Sequence, residues 1–141
     1  VRVFNYISGT QNIDLRFMAM SMIRAVKNDE VMPVNMMNPG RDFIGPVDLA
    51  QLIVRVLVSP GINCAVDCYT SEPITKDTLL AYMMRDYGLK FKVTDPAFVS
   101  PTGLKTFYYS RNRTAAQFGY RPLYDSWENI KLAADTLLGR T

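Results

Sequence analysis

The sequence contains no histidine among its 141 residues. This absence excludes nucleophiles paired with an imidazole, histidine metal sites and a histidine switch near neutral pH. Cysteine is also scarce, because Cys64 and Cys68 are the only two. In an extended segment they would lie about 13 Å apart, which is too far for a disulfide, and two thiols alone do not complete a zinc site. We therefore expect two ordinary buried thiols in a reducing compartment, the cytoplasm.

Charge of one sign is not concentrated anywhere in the chain. The 16 Lys and Arg residues against 13 Asp and Glu residues give a formal net charge of +3, and no four basic residues are consecutive. Binding to duplex nucleic acid or to an anionic membrane is therefore not expected. The run FYYSRNR has the composition for stacking on a single strand, but no second such stripe accompanies it. No apolar run approaches the ~18 residues of a membrane span.

The glycines are too dispersed for a phosphate-binding loop. The closest two of the 8 are Gly40 and Gly45, five positions apart, and neither is followed by Lys and Ser or Thr. Both the G-x-G-x-x-G dinucleotide loop and the P-loop are therefore excluded. None of the 8 tyrosines has a lysine four positions later either. The chain lacks the obvious apparatus of a dehydrogenase, and its partner is expected to be a small molecule or a protein.

Hydrophobic periodicity predicts two helices in the first half of the chain. The first spans residues 15–28, with Asp14 as its expected N-cap. The second spans residues 47–58 and is expected to be buried on all sides except one narrow polar stripe. The stripe consists of Asp48, Gln51 and Arg55.

The second half continues the alternation of helices and strands. A third helix is predicted to begin after Thr75 as its N-cap and to end at Gly88 as a left-handed C-cap. A short helix before Gly119 and a last helix over residues 126–138 follow. Strands are predicted at VRVFN, VMPVN, INCAVDC, KFKVTD and FYY. This order predicts an α/β fold in a single region, residues 1–141.

Four segments in a particular order resemble a known family. VRVFNYISG resembles the R-x-F-N-x-x-G segment, and GRDFIGPVDLAQLI the R-D-F/Y-I-x-V-D-D-L/V-A segment, of the extended short-chain dehydrogenases, the NAD-dependent epimerase/dehydratase family. INCAVDCYTSEPITKDTLLAYM resembles the strand, loop and helix that follow there. RTAAQFGYRPLYDSWENI resembles the closing K-A-x-x-x-L-G-W/Y-x-P segment. The resemblance covers essentially the whole chain.

The resemblance also implies a reason for the missing motifs. In that family the glycine-rich loop and the Tyr-x-x-x-Lys pair both precede the strand that opens this chain. The chain, which starts at Val1 without a methionine, is then expected to be a fragment, the C-terminal portion of a Rossmann-type protein. That portion supplies the late strands of the parallel sheet and a small α/β substrate-binding domain. The dinucleotide-binding half is expected to be absent.

Two polar residues are the first candidates for a ligand site. Asn5 ends a predicted strand, where an amide can bond a ligand at the carboxyl edge of a sheet; the alternative is an Asn that closes a turn on its own backbone. Arg41 carries a guanidinium suited to a diphosphate; its alternative is an ion pair with Asp42 or Asp48. The resemblance implies that Asn5 and Arg41 bind the substrate, with Phe4 and Asn5 near the nicotinamide.

The resemblance adds further substrate-binding candidates, which are Leu15, Met32, Val34, Lys105 and Phe107. Met32, Val34 and Phe107 are apolar, so a place in the core is the alternative for each. Two positions depart from the family pattern. Asp14 precedes Leu15 where an anion would repel a diphosphate, and Lys105 stands near the position of an arginine that it replaces only as a point charge.

The resulting hypothesis is the substrate-binding portion of an NAD(P)-dependent sugar-nucleotide epimerase/dehydratase, inactive alone. NAD or NADP belongs to the complete enzyme, and no cofactor is expected on this chain by itself. Two alternatives stay open: a reductase of the same superfamily with a non-nucleotide carbonyl substrate, and a non-catalytic binding or assembly module. Unpaired strands would expose apolar surface, so self-association is also expected.

Overall fold

Helices and short strands alternate along the chain in a computed structural model, which describes residues 1–61, 63–94 and 106–140. Within these residues the helices are α1 (Met18–Lys27), α2 (Pro46–Leu57), α3 (Lys76–Tyr87) and α4 (Ser126–Leu137), with a 3₁₀-helix at Thr114–Phe118. The strands are β1 (Val31–Val34), β2 (Gly40–Arg41), β3 (Ile74–Thr75), β4 (Lys90–Val93) and β5 (Phe107–Tyr108). The predicted α/β class is confirmed.

The strands form two small sheets. β1 pairs with β4 in parallel, with Val31 opposite Lys90. β2 lies between β3, which is antiparallel to it, and β5, which is parallel. The strands predicted at VMPVN, KFKVTD and FYY are therefore confirmed. No described helix is long and apolar enough to cross a membrane.

Two predicted strands are not regular strands in the described residues. The segment 1–5 makes one parallel bridge, from Arg2 to Asp67, and Tyr6 makes another with Ile44. The segment 63–68 has only the first of these bridges, and residue 62 lies outside the described part of the chain. A strand needs a ladder along its length. These extended segments form isolated bridges and no ladder, so the prediction of strands there is wrong.

The start of α1 differs from the prediction as well. The helix begins at Met18, its N-cap is Phe17, and no side chain caps it. Asp14 is exposed, and its backbone N–H donates to the Asn12 side chain at 2.9 Å. Asn12 thus closes a turn that ends before the helix. The prediction of Asp14 as an N-cap is wrong because this turn places it four residues ahead of the first helical residue.

The caps of α3 are confirmed. The Thr75 side chain accepts a hydrogen bond from the backbone N–H of Thr78, and Gly88 ends the helix with φ +71°. Helix α4 begins with a capping box in which Asp125 and Glu128 each bond the other's backbone N–H. These contacts supply acceptors to amides that have no partner within the helix.

The larger core lies where α1, α3 and α4 meet. Met20, Ile23, Leu79, Met83 and Ile130 are fully buried there, and each such side chain stabilises the fold by about 2 kcal/mol relative to exposure. A second cluster beneath α2 consists of Ile44, Leu52, Val66, Cys68, Tyr69, Ala115 and Tyr120. Cys64 is exposed, so the prediction that both thiols are buried is wrong for this one.

Helix α2 turns two residues of its polar stripe, Asp48 and Gln51, toward the rest of the chain, whereas Arg55 is exposed. Asp48 is fully buried and accepts hydrogen bonds from the backbone N–H groups of Leu123 at 2.8 Å and Tyr124 at 3.3 Å. Gln51 accepts one from the N–H of Arg121 at 2.8 Å. The other face is apolar and between 42% and 77% exposed: Val47, Ile53, Val54, Leu57 and Val58. The predicted burial is wrong, because the facing loop offers amides and no described element covers the apolar side.

The two proposed N-caps allow a direct comparison. Thr75→Ala is expected to lower the free energy of unfolding by about 1 kcal/mol, because the N–H of Thr78 loses its acceptor. Asp14→Ala is the control and should change it by less than about 0.5 kcal/mol, since the side chain is exposed and caps nothing. Urea denaturation followed by circular dichroism measures both. A greater loss for Asp14→Ala than for Thr75→Ala would contradict the structure.

Candidate functional site

Two adjoining cavities form a groove across the face that carries α1, β1 and β2. The larger has a volume of about 580 Å³ and is lined by the start of α1, by β1 and by the loop that follows β1. The smaller has a volume of about 230 Å³ and lies between Asn5, Phe17 and Arg41. Met18 and Pro39 line both cavities, so one ligand can extend from one into the other.

The groove is cationic. Arg16 and Lys76 line the larger cavity and Arg41 lines the smaller one, whereas no Asp or Glu is among the described residues that line either. The remaining wall of the larger cavity is mainly apolar, with Met32 and Val34 on β1. Guanidinium and ammonium groups next to an apolar wall suit an anion that carries a flat or apolar group.

Arg41 is held at the edge of the smaller cavity by its neighbours in the sheet. Its Nη1 donates to the Gly40 carbonyl at 2.8 Å, and its guanidinium lies 5.8 Å from the centre of the Tyr108 ring. Partial burial lowers the pKa of Arg41 below its usual value, which leaves the group protonated at neutral pH. Asp42 and Asp48 accept hydrogen bonds from other groups and form no ion pair with Arg41 within the described residues.

Asn5 lines the same cavity as Arg41. Its side-chain N–H donates to the Asp42 carbonyl at 3.0 Å, and its backbone carbonyl accepts from the N–H of Ile44 at 2.9 Å. The alternative in which Asn5 closes a turn on its own backbone is therefore wrong, since its partner lies 37 residues away. This bond orients the amide, and the side-chain oxygen is left as the group that can meet a ligand.

The aromatic residues of β5, Phe107 and Tyr108, lie next to β2 but are not among the residues that line either cavity. Phe107 packs on Gly40 so closely that a Cβ on Gly40 would lie 2.7 Å from its ring, so a larger residue there would displace the ring. Phe107 is nevertheless 63% exposed, so the core alternative for this residue is wrong. Phe4 meets the Tyr108 ring edge-on, with centroids 5.2 Å apart, and lies beside the Arg41 end of the groove.

The other predicted site residues have mixed outcomes. Met32 lines the larger cavity, and Val34 lines it while also belonging to the buried core. Leu15 is 40% exposed and is not among the residues lining either cavity. Lys105 lies outside the described residues.

Lys76 and Arg16 are cations of the groove that the sequence analysis missed. Lys76 is the first residue of α3 and is almost fully buried, although a lysine in a first turn is ordinarily exposed. Its pKa is lowered by burial. Arg16 precedes α1 and is exposed at its end of the larger cavity. No periodicity marks either residue, because the loops that form the groove bring them there.

The buried thiol is not a reactive group. Cys68 lies 3.5 Å from the Tyr120 hydroxyl, and burial raises the pKa of its thiol to about 11. A thiol that stays protonated at neutral pH is a poor nucleophile and a poor metal ligand. The described residues of the groove, in contrast, have the chemistry to bind and orient an anion.

The fold described above is similar to that of part of solved nucleotide-sugar epimerases. No protein-family model matches the chain, and no curated protein sequence matches it. Solved structures do match it, at identities so low that the likeness establishes the fold alone. The chain spans about 45% of the length of these structures, as the expected C-terminal portion would.

Three of these structures contain a UDP-linked sugar. The UDP-glucuronic acid 4-epimerase from Bacillus cereus, in complex with UDP-glucuronic acid and NAD, matches with a TM-score of 0.79 and 14% identity over 99% of this chain and 45% of its own. The UDP-N-acetylglucosamine 4-epimerase from Methanobrevibacter ruminantium, in complex with UDP-N-acetylmuramic acid, matches with a TM-score of 0.76 and 16% identity. The match covers 99% of this chain and 46% of that one. The UDP-glucose 4-epimerase from Thermotoga maritima, with UDP-glucose, matches with a TM-score of 0.77 and 14% identity. The match covers 99% of this chain and 45% of that one.

An ion pair between the exposed Arg2 and the buried Asp67 fixes the N-terminal segment that carries Phe4 and Asn5. Arg2 donates to Asp67 at 2.6 Å and the Ser110 hydroxyl donates to the same carboxylate at 2.5 Å. Burial alone would raise the pKa of Asp67, but these two hydrogen bonds and the Arg2 charge bring it below its ordinary value of 3.8. Asp67 is 2% exposed and links the buried Ser110 to Arg2, whose side chain is 58% exposed.

This link predicts a pH dependence of stability. A carboxylate whose pKa is lowered by folding stabilises the fold above its unfolded pKa and loses that contribution as the pH falls through the folded value. The difference in free energy of unfolding between the wild type and Asp67→Asn should therefore be largest near neutral pH and shrink below about pH 5. Urea denaturation at several pH values between about 7 and 3 measures it. A difference independent of pH would contradict the role assigned to Asp67.

Proposed function

We propose that the chain is the substrate-binding portion of an NAD(P)-dependent epimerase or dehydratase that acts on a nucleoside diphosphate sugar. The observation that carries this proposal is the groove, in which Arg16, Arg41 and Lys76 adjoin an apolar wall and no Asp or Glu is among the described residues that line it. A nucleoside diphosphate has the matching chemistry, two phosphates and a flat base. The fold, shared with UDP-sugar epimerases, supports the same assignment.

Each end of the groove has a proposed role. Arg41 and Asn5 bind the diphosphate, since a guanidinium donates two parallel hydrogen bonds to phosphate oxygens. Met32 and Val34 form the wall on which the base lies. Phe107, exposed beside the Arg41 end, contacts the substrate.

Three further assignments rest on the family resemblance. Leu15 and Lys105 complete the substrate site, and Phe4 and Asn5 approach the nicotinamide. Arg16, at the open end of the larger cavity, adds to the positive charge that draws an anionic substrate into the groove.

The hydride chemistry belongs to the complete protein. NAD or NADP supplies hydride transfer when bound there, and the glycine-rich loop and Tyr-x-x-x-Lys pair that such a reaction uses have no counterpart in this sequence. The role of this chain is to hold the sugar nucleotide in place. The outer face of α2, apolar and exposed, supports a cofactor-binding half that packs against it, because a helix seldom leaves an apolar face in water.

Titration calorimetry with UDP tests the diphosphate assignment. The chain is expected to bind UDP, and Arg41→Ala is expected to weaken the binding by about 10- to 100-fold, the effect of a lost charge-assisted hydrogen bond. Arg85→Ala is the matched control, since Arg85 is an exposed arginine on α3 that lines neither cavity. Equal affinities for all three proteins, or no binding to the wild type, would overturn the diphosphate site. Repeating the titration with dTDP and GDP distinguishes the nucleotide.

The chain by itself is expected to have no activity. Incubation with NAD and UDP-glucose should yield no epimerised, dehydrated or oxidised sugar, because the chain has no Tyr-x-x-x-Lys pair to move the proton. Chromatography of the sugar nucleotides measures the products. Turnover by the chain alone would contradict the proposal that this chain binds the substrate and that the hydride chemistry needs the complete protein.

The exposed face of α2 is expected to cause self-association. Sedimentation velocity should show larger species as the protein concentration rises, since apolar side chains leave water when two copies meet. Leu57→Lys, at a residue 77% exposed on this face, should shift the chain toward the monomer. Met84→Lys is the control, an exposed apolar residue of α3, and should not. A monomer at every concentration would count against this surface.

A further inference from the structure

Lys76 carries a buried charge that forms no salt bridge with a described residue, although the charge of the adjacent Asp77 partly offsets the effect of burial on its pKa. The residue is 6% exposed, and its Nζ donates to the Asn35 carbonyl at 2.5 Å and more weakly to the Asn35 side-chain oxygen at 3.4 Å. Burial lowers the pKa of its ammonium. Burying a cation against neutral acceptors costs free energy. A buried lysine at this position is therefore a candidate for a functional role.

The first turn of α3 holds the loop of residues 35–39 at both ends. Lys76 Nζ bonds Asn35 at the start of the loop. The backbone N–H of Asp77 donates to the Asn38 side chain at 2.9 Å, and the backbone N–H of Lys76 donates to the Pro39 carbonyl at 3.0 Å. Of these three attachments, the first alone is made by the ammonium and fixes the end of the loop next to β1.

The same loop joins the two halves of the groove. It begins after Val34, on the apolar wall, and ends at β2, which carries Arg41. The other hydrogen bond of the loop between described residues is local, from the N–H of Met37 to the Asn35 side chain at 3.1 Å. Asn35 and Lys76 both line the larger cavity. The distance between the apolar wall and the guanidinium therefore depends on where Lys76 holds Asn35.

We infer that Lys76 is a positioning residue for the ligand: its ammonium holds the 35–39 loop so that the β1 wall and Arg41 meet one nucleoside diphosphate. This inference rests on the proposed function. It assigns to Lys76 a role through Asn35, without a contact between its ammonium and the ligand.

The experiment is UDP titration of the 141-residue chain and three variants. Lys76→Met removes the ammonium and keeps an apolar stem, and it should weaken UDP binding by about tenfold or more. Lys76→Arg keeps the charge and the donors, so it should bind within about threefold of the wild type. Thr75→Ala destabilises the same helix through its N-cap without touching the loop, and its UDP affinity should be unchanged.

Amide hydrogen exchange separates positioning from general stability. Residues 35–41 should exchange faster in Lys76→Met, and not in Thr75→Ala, because only the former releases the loop. If Lys76→Met fails to fold, Asn38→Ala provides a second test, since it removes the bond to Asp77 and should weaken UDP binding by about threefold.

The outcomes are distinguishable. UDP binding by Lys76→Met equal to that of the wild type overturns the inference and leaves the proposed function intact. A loss of affinity shared equally by Thr75→Ala also overturns it, because stability alone would then explain the effect. No binding to the wild type overturns the proposed function itself, and the inference with it.

Discussion

The groove depends on one buried carboxylate. Asp42 is almost fully buried and accepts hydrogen bonds from the backbone N–H and hydroxyl of Thr70 and from the hydroxyl of Ser126. Three segments far apart in sequence therefore meet at one charge. Arg41 directly precedes this residue, and the Asn5 side chain bonds its carbonyl. Without the Asp42 carboxylate, the donors on Thr70 and Ser126 would lose this acceptor. The hydrogen bonds to Asp42 therefore set the position of the cationic end of the groove.

Three buried carboxylates connect distant parts of the chain. Asp42, Asp48 and Asp67 are buried, and each accepts hydrogen bonds from backbone amides or hydroxyls. Their charge holds the chain together, and none of the three is among the described residues that line the groove. A low net charge in the composition is thus compatible with a strongly positive site, since only the arrangement in space decides the local field.

Local patterns predicted the elements whose hydrogen bonds are local. Thr75 caps α3 by bonding an amide three residues away, and Gly88 adopts the left-handed conformation that ends it. The same reasoning failed at Asp14, where the Asn12 side chain offered a competing local bond. It failed also for the outer face of α2, because hydrophobic periodicity locates a helix but does not tell which face meets the rest of the chain.

By itself the sequence determined the α/β order, the caps of α3 and the absence of a histidine and of a glycine-rich loop, and it predicted Asn5 and Arg41 as ligand-binding residues. Only the tertiary structure decided that Asn5 bonds Asp42, that Lys76 is buried beside a cavity and that part of the polar stripe of α2 faces inward. The physical reason is the length scale of the contacts. A cap involves residues three or four positions apart, whereas the bonds from Asn5 and Lys76 join residues 37 and 41 positions apart, and no local propensity encodes such a meeting.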